Sequence, residues 1–176
     1  MEAGLEPRLA DTRLAVDDPD QQRLAGLGAV FDQVASEGFG HRATPRTEAE
    51  ELEIEGDLFL LHQALSNLLQ NAIDFSPPKG VIDLRAAREG SSVRLELRDR
   101  GPGIPEYAKG KLFQRFFSLQ RPDTGKKSTG LGLNFVQEVA KLHRGSIRLE
   151  NLDAGGLCAV LVLPGAAQNI TTKESR

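Results

Sequence analysis

The chain has 176 residues, enough for one domain with a core that needs no covalent staple, and its net charge of −3 argues against a broad nucleic-acid footprint. The lone cysteine, Cys158, excludes an internal disulfide and a thiolate metal cluster, and it fits a reducing compartment. No run has the length of a bilayer span and no basic-then-apolar leader opens the chain, so the sequence reads as a soluble, cytoplasmic domain.

In chain order, residues 1–22 mix charge, proline and small residues without periodicity, as a linker or the remnant of a preceding domain does. Residues 24–36 (LAGLGAVFDQVAS) have the spacing of a short amphipathic helix, weakened by two glycines. HRATPRT and ELEIEG follow as two short strands, with Leu52 and Ile54 alternating in the second. Residues 57–75 carry the strongest helical pattern in the chain. Asp57 is its N-cap, and Leu58, Leu61, Leu65, Leu68, Leu69 and Ala72 mark a buried face. Ser76-Pro77-Pro78 stops it.

VIDLRAA and SVRLELRD then alternate as strands around Glu89-Gly90-Ser91, and the turn GPGIP follows. Residues 106–129 are irregular: a short aromatic helix, KLFQRFFSL, precedes a polar and flexible stretch, RPDTGKKST, and 107–129 is expected to be mobile without ligand. A second helix runs over 130–143, closed by Gly145 as its C-cap. SIRLEN and LCAVLVL are the last strands, around Asp153-Ala154-Gly155-Gly156, and 165–176 reads as a disordered tail. The fold class is α/β. A mixed sheet built of hairpins, with helices over one face, makes a two-layer α/β sandwich spanning residues 23–164.

Three constellations carry chemistry. Asn67 and Asn71, four residues apart, share a helix face with Asp74. Carboxamide oxygens suit Mg²⁺, a hard cation that takes few protein ligands and the rest from phosphate and water. A solvated helix face explains the pair equally well. Asp99 has the parity of Val93, Leu95 and Leu97, so its carboxylate emerges on the buried side where the strand ends. A charge there is costly unless bonded, and it suits the exocyclic amine of adenine, with Gly101 and Gly103 admitting a ligand close to the backbone. An aspartate opening a turn is the plainer account. Finally, Thr129-Gly130-Leu131-Gly132-Leu133 opens a helix beside Lys126 and Lys127, a setting for an anion or for an ordinary helix start.

Other signals fail. Gly125-Lys126-Lys127-Ser128 lacks the P-loop glycine, since position 120 is Gln120, and Gly101-Pro102-Gly103 lacks the third dinucleotide glycine, since Glu106 stands there. His41 lacks the acidic neighbour and the spacing of a phosphoacceptor motif. His62 and His143 have no matching base or metal partner and read as structural.

Taken together, the order of these segments resembles the superfamily of histidine-kinase, gyrase, heat-shock-ninety and mismatch-repair ATPases. QALSNLLQNAIDFSP (63–77) is similar to its N box and DRGPGIPE (99–106) to its first glycine box. KLFQRFFS (111–118) resembles the phenylalanine box, and STGLGLNFVQEVAKLHRGSI (128–147) the second glycine box with its helix. The four-box set resembles bacterial sensor histidine kinases in particular, over about residue 50 to Pro164.

That resemblance implies a Bergerat fold with a flexible ATP lid. ATP and Mg²⁺ are the expected cofactors, with Asn67 and Asn71 holding the metal and phosphates and Asp99 reading the adenine. Gly101 and Gly103 would frame the base, while Gly130 and Gly132 would serve the phosphates and the lid hinge. The implied nucleotide-binding set also includes Asp74, Phe75, Ile104, Lys127, Thr129, Leu131 and Leu133. Two departures stand out: Asp74 is acidic where relatives are often basic, and Phe75 replaces a common tyrosine.

The implied activity is transfer of the γ-phosphoryl group to a histidine on a dimerisation and phosphoacceptor domain, and onward to a response regulator. The phosphoacceptor box itself is not in this sequence, so the chain alone is expected to be a monomer that does not autophosphorylate. The parent protein would be anchored in the bacterial inner membrane. Two other readings remain: a non-catalytic nucleotide-sensing module, and an anti-sigma-type serine kinase, against which the aromatic box argues. Within that box Leu112, Phe113, Phe116 and Phe117 have the spacing of residues that pack a lid helix, with a docking surface for the phosphoacceptor domain as the alternative.

Overall fold

The computed structural model describes residues 23–25, 47–48, 52–78, 80–125 and 127–165. Among them the strands are β1 (Arg23–Ala25), β2 (Thr47–Glu48), β3 (Glu53–Glu55), β4 (Asp83–Glu89), β5 (Ser92–Arg98), β6 (Ser146–Asn151) and β7 (Leu157–Pro164). The α-helices are α1 (Leu58–Phe75) and α2 (Gly132–Leu142), with a 3₁₀ turn at Glu106–Ala108. The main sheet has the order β2-β4-β5-β7-β6, in which only β2 and β4 run parallel. A ribbon of β1 and β3 stands beside it, joined by a bridge from Ile54 to Gly165, the residue that follows β7.

Both helices lie on one face, because the strands alternate. Leu84 and Ala86 of β4, Val93, Leu95 and Leu97 of β5 and Ala159, Leu161 and Leu163 of β7 all point into the core. They meet Leu61, Ala64, Leu65, Leu68 and Leu69 of α1 and Val136, Val139 and Ala140 of α2. The opposite face of β5 carries Arg94, Glu96 and Arg98, and Glu96 bridges both arginines at 2.6 Å. Hydrogen bonds from those guanidinium groups hold its carboxyl below the usual carboxylate range against the opposing effect of burial. This is the expected two-layer α/β sandwich with a mixed, mostly antiparallel sheet.

Helix α1 begins where expected: Asp57 Oδ1 accepts the Leu60 N–H at 3.0 Å. The Asp57 N–H in turn donates to His143 Nε2 at 2.9 Å, and His143 Nδ1 donates to the Val139 carbonyl at 2.8 Å. His143 therefore ties the end of α2 to the start of α1, a structural role that also explains Gly56. A Cβ on that glycine would lie 2.4 Å from the imidazole ring. Because Leu61 is 2% exposed at this junction, Leu61→Ala is expected to lower stability by about 2–5 kcal/mol, read as a shift of the denaturant midpoint with unchanged slope.

Three local expectations are corrected. Arg23–Ala25 pairs antiparallel with β3 instead of opening a helix; the rest of 24–36 lies outside the described residues, as do 1–22, His41, Lys126 and 166–176. The aromatic segment is not a helix but a chain of turns, with Lys111 N–H bonded to the Ala108 carbonyl and Gln114 N–H to the Lys111 carbonyl. Phe116 leaves that chain to bond the Gly130 carbonyl, with φ of 65°. At the end of α2 the left-handed position is taken by Arg144, with φ of 56°, and not by Gly145. The Gly145 N–H closes back on the Ala140 carbonyl and the Arg144 N–H on that of Lys141, which satisfies the last turn. Gly145 answers a different demand: a Cβ there would lie 2.2 Å from the Val162 carbonyl oxygen.

Candidate functional site

Between the C-terminal half of α1, the end of β5 and the start of α2 lies an apolar cleft. Asn71 and Phe75 of α1, Asp99, Gly103 and Ile104 after β5, and Gly130, Gly132 and Leu133 at α2 all line it. Its floor is hydrocarbon from Leu68, Ala72, Leu97 and Ala159. A flat heterocycle with one polar edge suits such a surface.

Asp99 sits at the inner end with 4% of its surface exposed, on the side its parity predicts. Its Oδ1 accepts the Gly101 N–H at 2.7 Å and the Leu157 N–H at 3.2 Å. Oδ2 accepts no hydrogen bond among the described residues, nor is it sealed off as a buried orphan, so it is open to the cleft. Burial pushes this carboxyl above its ordinary value, and the two backbone donors only partly offset that. The arrangement leaves one strong acceptor facing an apolar slot.

The rim is the loop 101–105. Gly103 has φ of 73°, and a Cβ there would lie 2.8 Å from Asn151 Oδ1. Asn151 clamps the next residue at both backbone groups: its Oδ1 accepts the Ile104 N–H at 2.7 Å and its Nδ2 donates to the Ile104 carbonyl at 2.9 Å. Gly101 packs on the end of α1, where a Cβ would meet the Phe75 carbonyl oxygen at 2.6 Å.

On the other side, α2 starts with no side-chain cap, which leaves first-turn N–H groups for an anion. Asn67 is not on the cleft wall proper, but its carboxamide stands beside this helix start, 3.7 Å from where a Cβ of Gly132 would be. Gly130, with φ of 70°, is pinned between Phe116 and Phe117, whose backbone atoms would lie 2.6 Å from a Cβ. The lid continues through Ser118, whose hydroxyl donates to the Ser128 carbonyl at 3.0 Å, and a bridge between Gln120 and Lys127. Lys127 lines the outer mouth, whereas Thr129 and Leu131 face solvent away from the wall. Leu112 is buried and Phe113 and Phe117 half-buried, so three of the four aromatic-box residues pack; Phe116 is 78% exposed.

Asp74 also departs from the wall. Its Oδ2 meets Arg121 at 2.6 Å and its Oδ1 accepts from Gln70 at 2.9 Å. Neither Arg121 nor the Asn151 clamp is legible in the sequence: one lies in an aperiodic loop, and the other joins residues 47 apart.

The family model described as Histidine kinase-, DNA gyrase B-, and HSP90-like ATPase matches residues 56–167, which contain every element around this cleft. The chain belongs to this family. The sensor protein CreC of Escherichia coli (strain K12) is 49% identical over 167 residues, 93% of this chain and 35% of CreC. The mycobacterial sensor histidine kinase MprB has a solved structure with a TM-score of 0.73 and 27% identity, covering 84% of this chain and 99% of that one. The catalytic domain of histidine kinase ThkA, solved nucleotide-free, has a TM-score of 0.69 and 27% identity, covering 82% and 97%. ThkA has also been solved in complex with the response regulator TrrA. The chain is thus an ATPase domain of the type found in sensor histidine kinases, and it spans about a third of CreC's length.

Proposed function

We propose that this histidine-kinase-type ATPase domain binds Mg²⁺-ATP in the cleft and, within a longer sensor kinase, presents the γ-phosphoryl group to a histidine on a dimerisation domain. The observation that carries the reading is Asp99: a buried carboxylate with one oxygen free at the end of an apolar slot. Such a group recognises the exocyclic amine of adenine, and the Asn151-clamped rim at Gly103 and Ile104 bounds the base.

The phosphates then run toward the free amides of α2 at Gly132 and Leu133, with Asn67 and Asn71 alongside. Those two carboxamides fit Mg²⁺, which when bound supplies neutralisation of phosphate charge; Lys127 at the mouth adds an exposed cation. The residues of this chain bind, orient and exclude water. In the transfer, the bond from the γ-phosphorus to the ADP oxygen breaks and one to the acceptor imidazole nitrogen forms. The acceptor domain, the response regulator downstream and a membrane anchor belong to this proposal. No helix among the described residues is long and apolar enough to cross a membrane.

The test is phosphotransfer from γ-labelled ATP by the full-length kinase carrying this domain. Acid-labile, alkali-stable phosphate on a histidine is the expected product. Phosphoserine on a partner would replace the reading with a serine kinase, and tight ADP binding without any transfer would replace it with a nucleotide-sensing module.

A further inference from the structure

The acidic residue at the end of α1 is out of place on electrostatic grounds. Asp74 lies in the last turn, where carbonyl dipoles concentrate negative charge, and no basic residue of the helix compensates it there. Its compensation comes from outside the helix. Arg121, on the lid, reaches its Oδ2 at 2.6 Å, and Gln70 orients the other oxygen.

The pair is about as buried as that of Glu96 with Arg94 on the sheet, and unlike the exposed helix pair of Glu138 and Lys141. Its side chains are 15% and 30% exposed, against 55% and 60% for Glu138 and Lys141. Partial burial makes the loss of either partner costly, because the other charge is left without its counter-ion. The Arg121 Nε is buried and has no acceptor among the described residues, so the Asp74 carboxylate is the group that neutralises this cation.

The pair also sits at a mechanically telling place. The lid from Ser118 to Ser128 is closed on itself by the Ser118–Ser128 hydrogen bond, the Gln120–Lys127 bridge and a turn in which the Gly125 N–H bonds the Arg121 carbonyl. Whatever fixes Arg121 therefore fixes the loop as a unit. Ser118, Leu119 and Ser128 of that unit line the cleft, while Asp74 stands three residues beyond Asn71 on the helix that forms its opposite wall.

We propose that Asp74 and Arg121 are a positioning pair that fastens the lid to α1 and so sets how firmly the cleft closes on the nucleoside part of its ligand. This rests on the nucleotide reading above but asks a separate question of the lid. Asp74 acts through the lid and not on phosphate, which reconciles an acidic residue here with an anionic ligand nearby.

The test is a double-mutant cycle with Asp74→Asn, Arg121→Gln and the two combined, each titrated with ADP and with adenosine, beside amide exchange of residues 118–125 without ligand. Each single variant is expected to raise Kd roughly 5- to 20-fold for both ligands, and the combined variant no further than the worse single one. Exchange in the lid should quicken equally in all three, while α1 keeps its protection. Additive effects, unchanged lid exchange, or a loss confined to ADP that Asp74→Asn does not share would overturn the pairing; the last would make Arg121 a phosphate ligand instead. A native chain that bound neither ligand would sink the nucleotide reading, and the exchange data would still decide whether the pair holds the lid.

Discussion

An Asp99→Asn chain titrated with ADP is expected to show no measurable heat of binding at concentrations that saturate the native chain. The substitution is nearly isosteric, and the carboxamide oxygen can keep both backbone donors, Gly101 N–H and Leu157 N–H, that now hold Oδ1. The carboxamide nitrogen then takes the place of Oδ2 at the cleft. There a donor meets the donor of the adenine amine, where an anionic acceptor stood before. Loss of a charge-assisted hydrogen bond and an unmatched donor together cost about 3–5.5 kcal/mol, or roughly 150- to 10,000-fold in Kd. A Kd within about threefold of native would remove Asp99 from the adenine site.

The same variant should be no less stable without ligand, and above mild acidity more stable. Burial raises the folded-state pKa of Asp99 above its unfolded value, so the folded state holds the proton longer. Stability is then lost, not gained, as pH rises through the unfolded value, about 3.9 for aspartate, and the loss is complete only above the raised folded one. The carboxamide of the variant cannot titrate, so melting curves of the two chains should coincide at low pH and separate toward neutrality, the variant melting higher. Such a pattern would identify Asp99 as a group kept for a ligand at some expense to the fold.

Much of the site is readable because it lies on periodic elements. The leucine spacing of α1 places Asn71 on the cleft, and the parity of β5 places Asp99 on the core side, each from a few residues of local pattern. The parts that escape depend on contacts between distant, aperiodic segments. Phe116 leaves the helical region because its N–H bonds the Gly130 carbonyl, and nothing within KLFQRFFSL encodes that partner. Gly145 has the sequence position of a helix cap, yet the carbonyl of Val162 fixes its identity and Arg144 adopts the left-handed turn. Asp74 stands out as a departure in the sequence, but its meaning depends on Arg121, which no spacing rule connects to it.

The Asn71→Ala chain should separate metal-dependent from metal-independent binding. Asn71 is half-buried on the cleft wall, and alanine is the better helix former by roughly half a kcal/mol, so the fold should be unharmed or slightly steadied. In the proposed function adenine recognition rests on Asp99, across the cleft, and ADP binding in the presence of a chelator should therefore stay close to native. What disappears is the increment that Mg²⁺ adds, since the carboxamide is expected to hold the ion against the phosphates. In the full-length kinase, phosphotransfer should fall by roughly 100-fold or more, the scale on which a single preorganised electrostatic contact acts at a transition state. If the Mg²⁺ increment survived and transfer continued at the native rate, Asn71 would be one residue of a solvated helix face, and the metal would have to be held from Asn67 of α1, beside the start of α2.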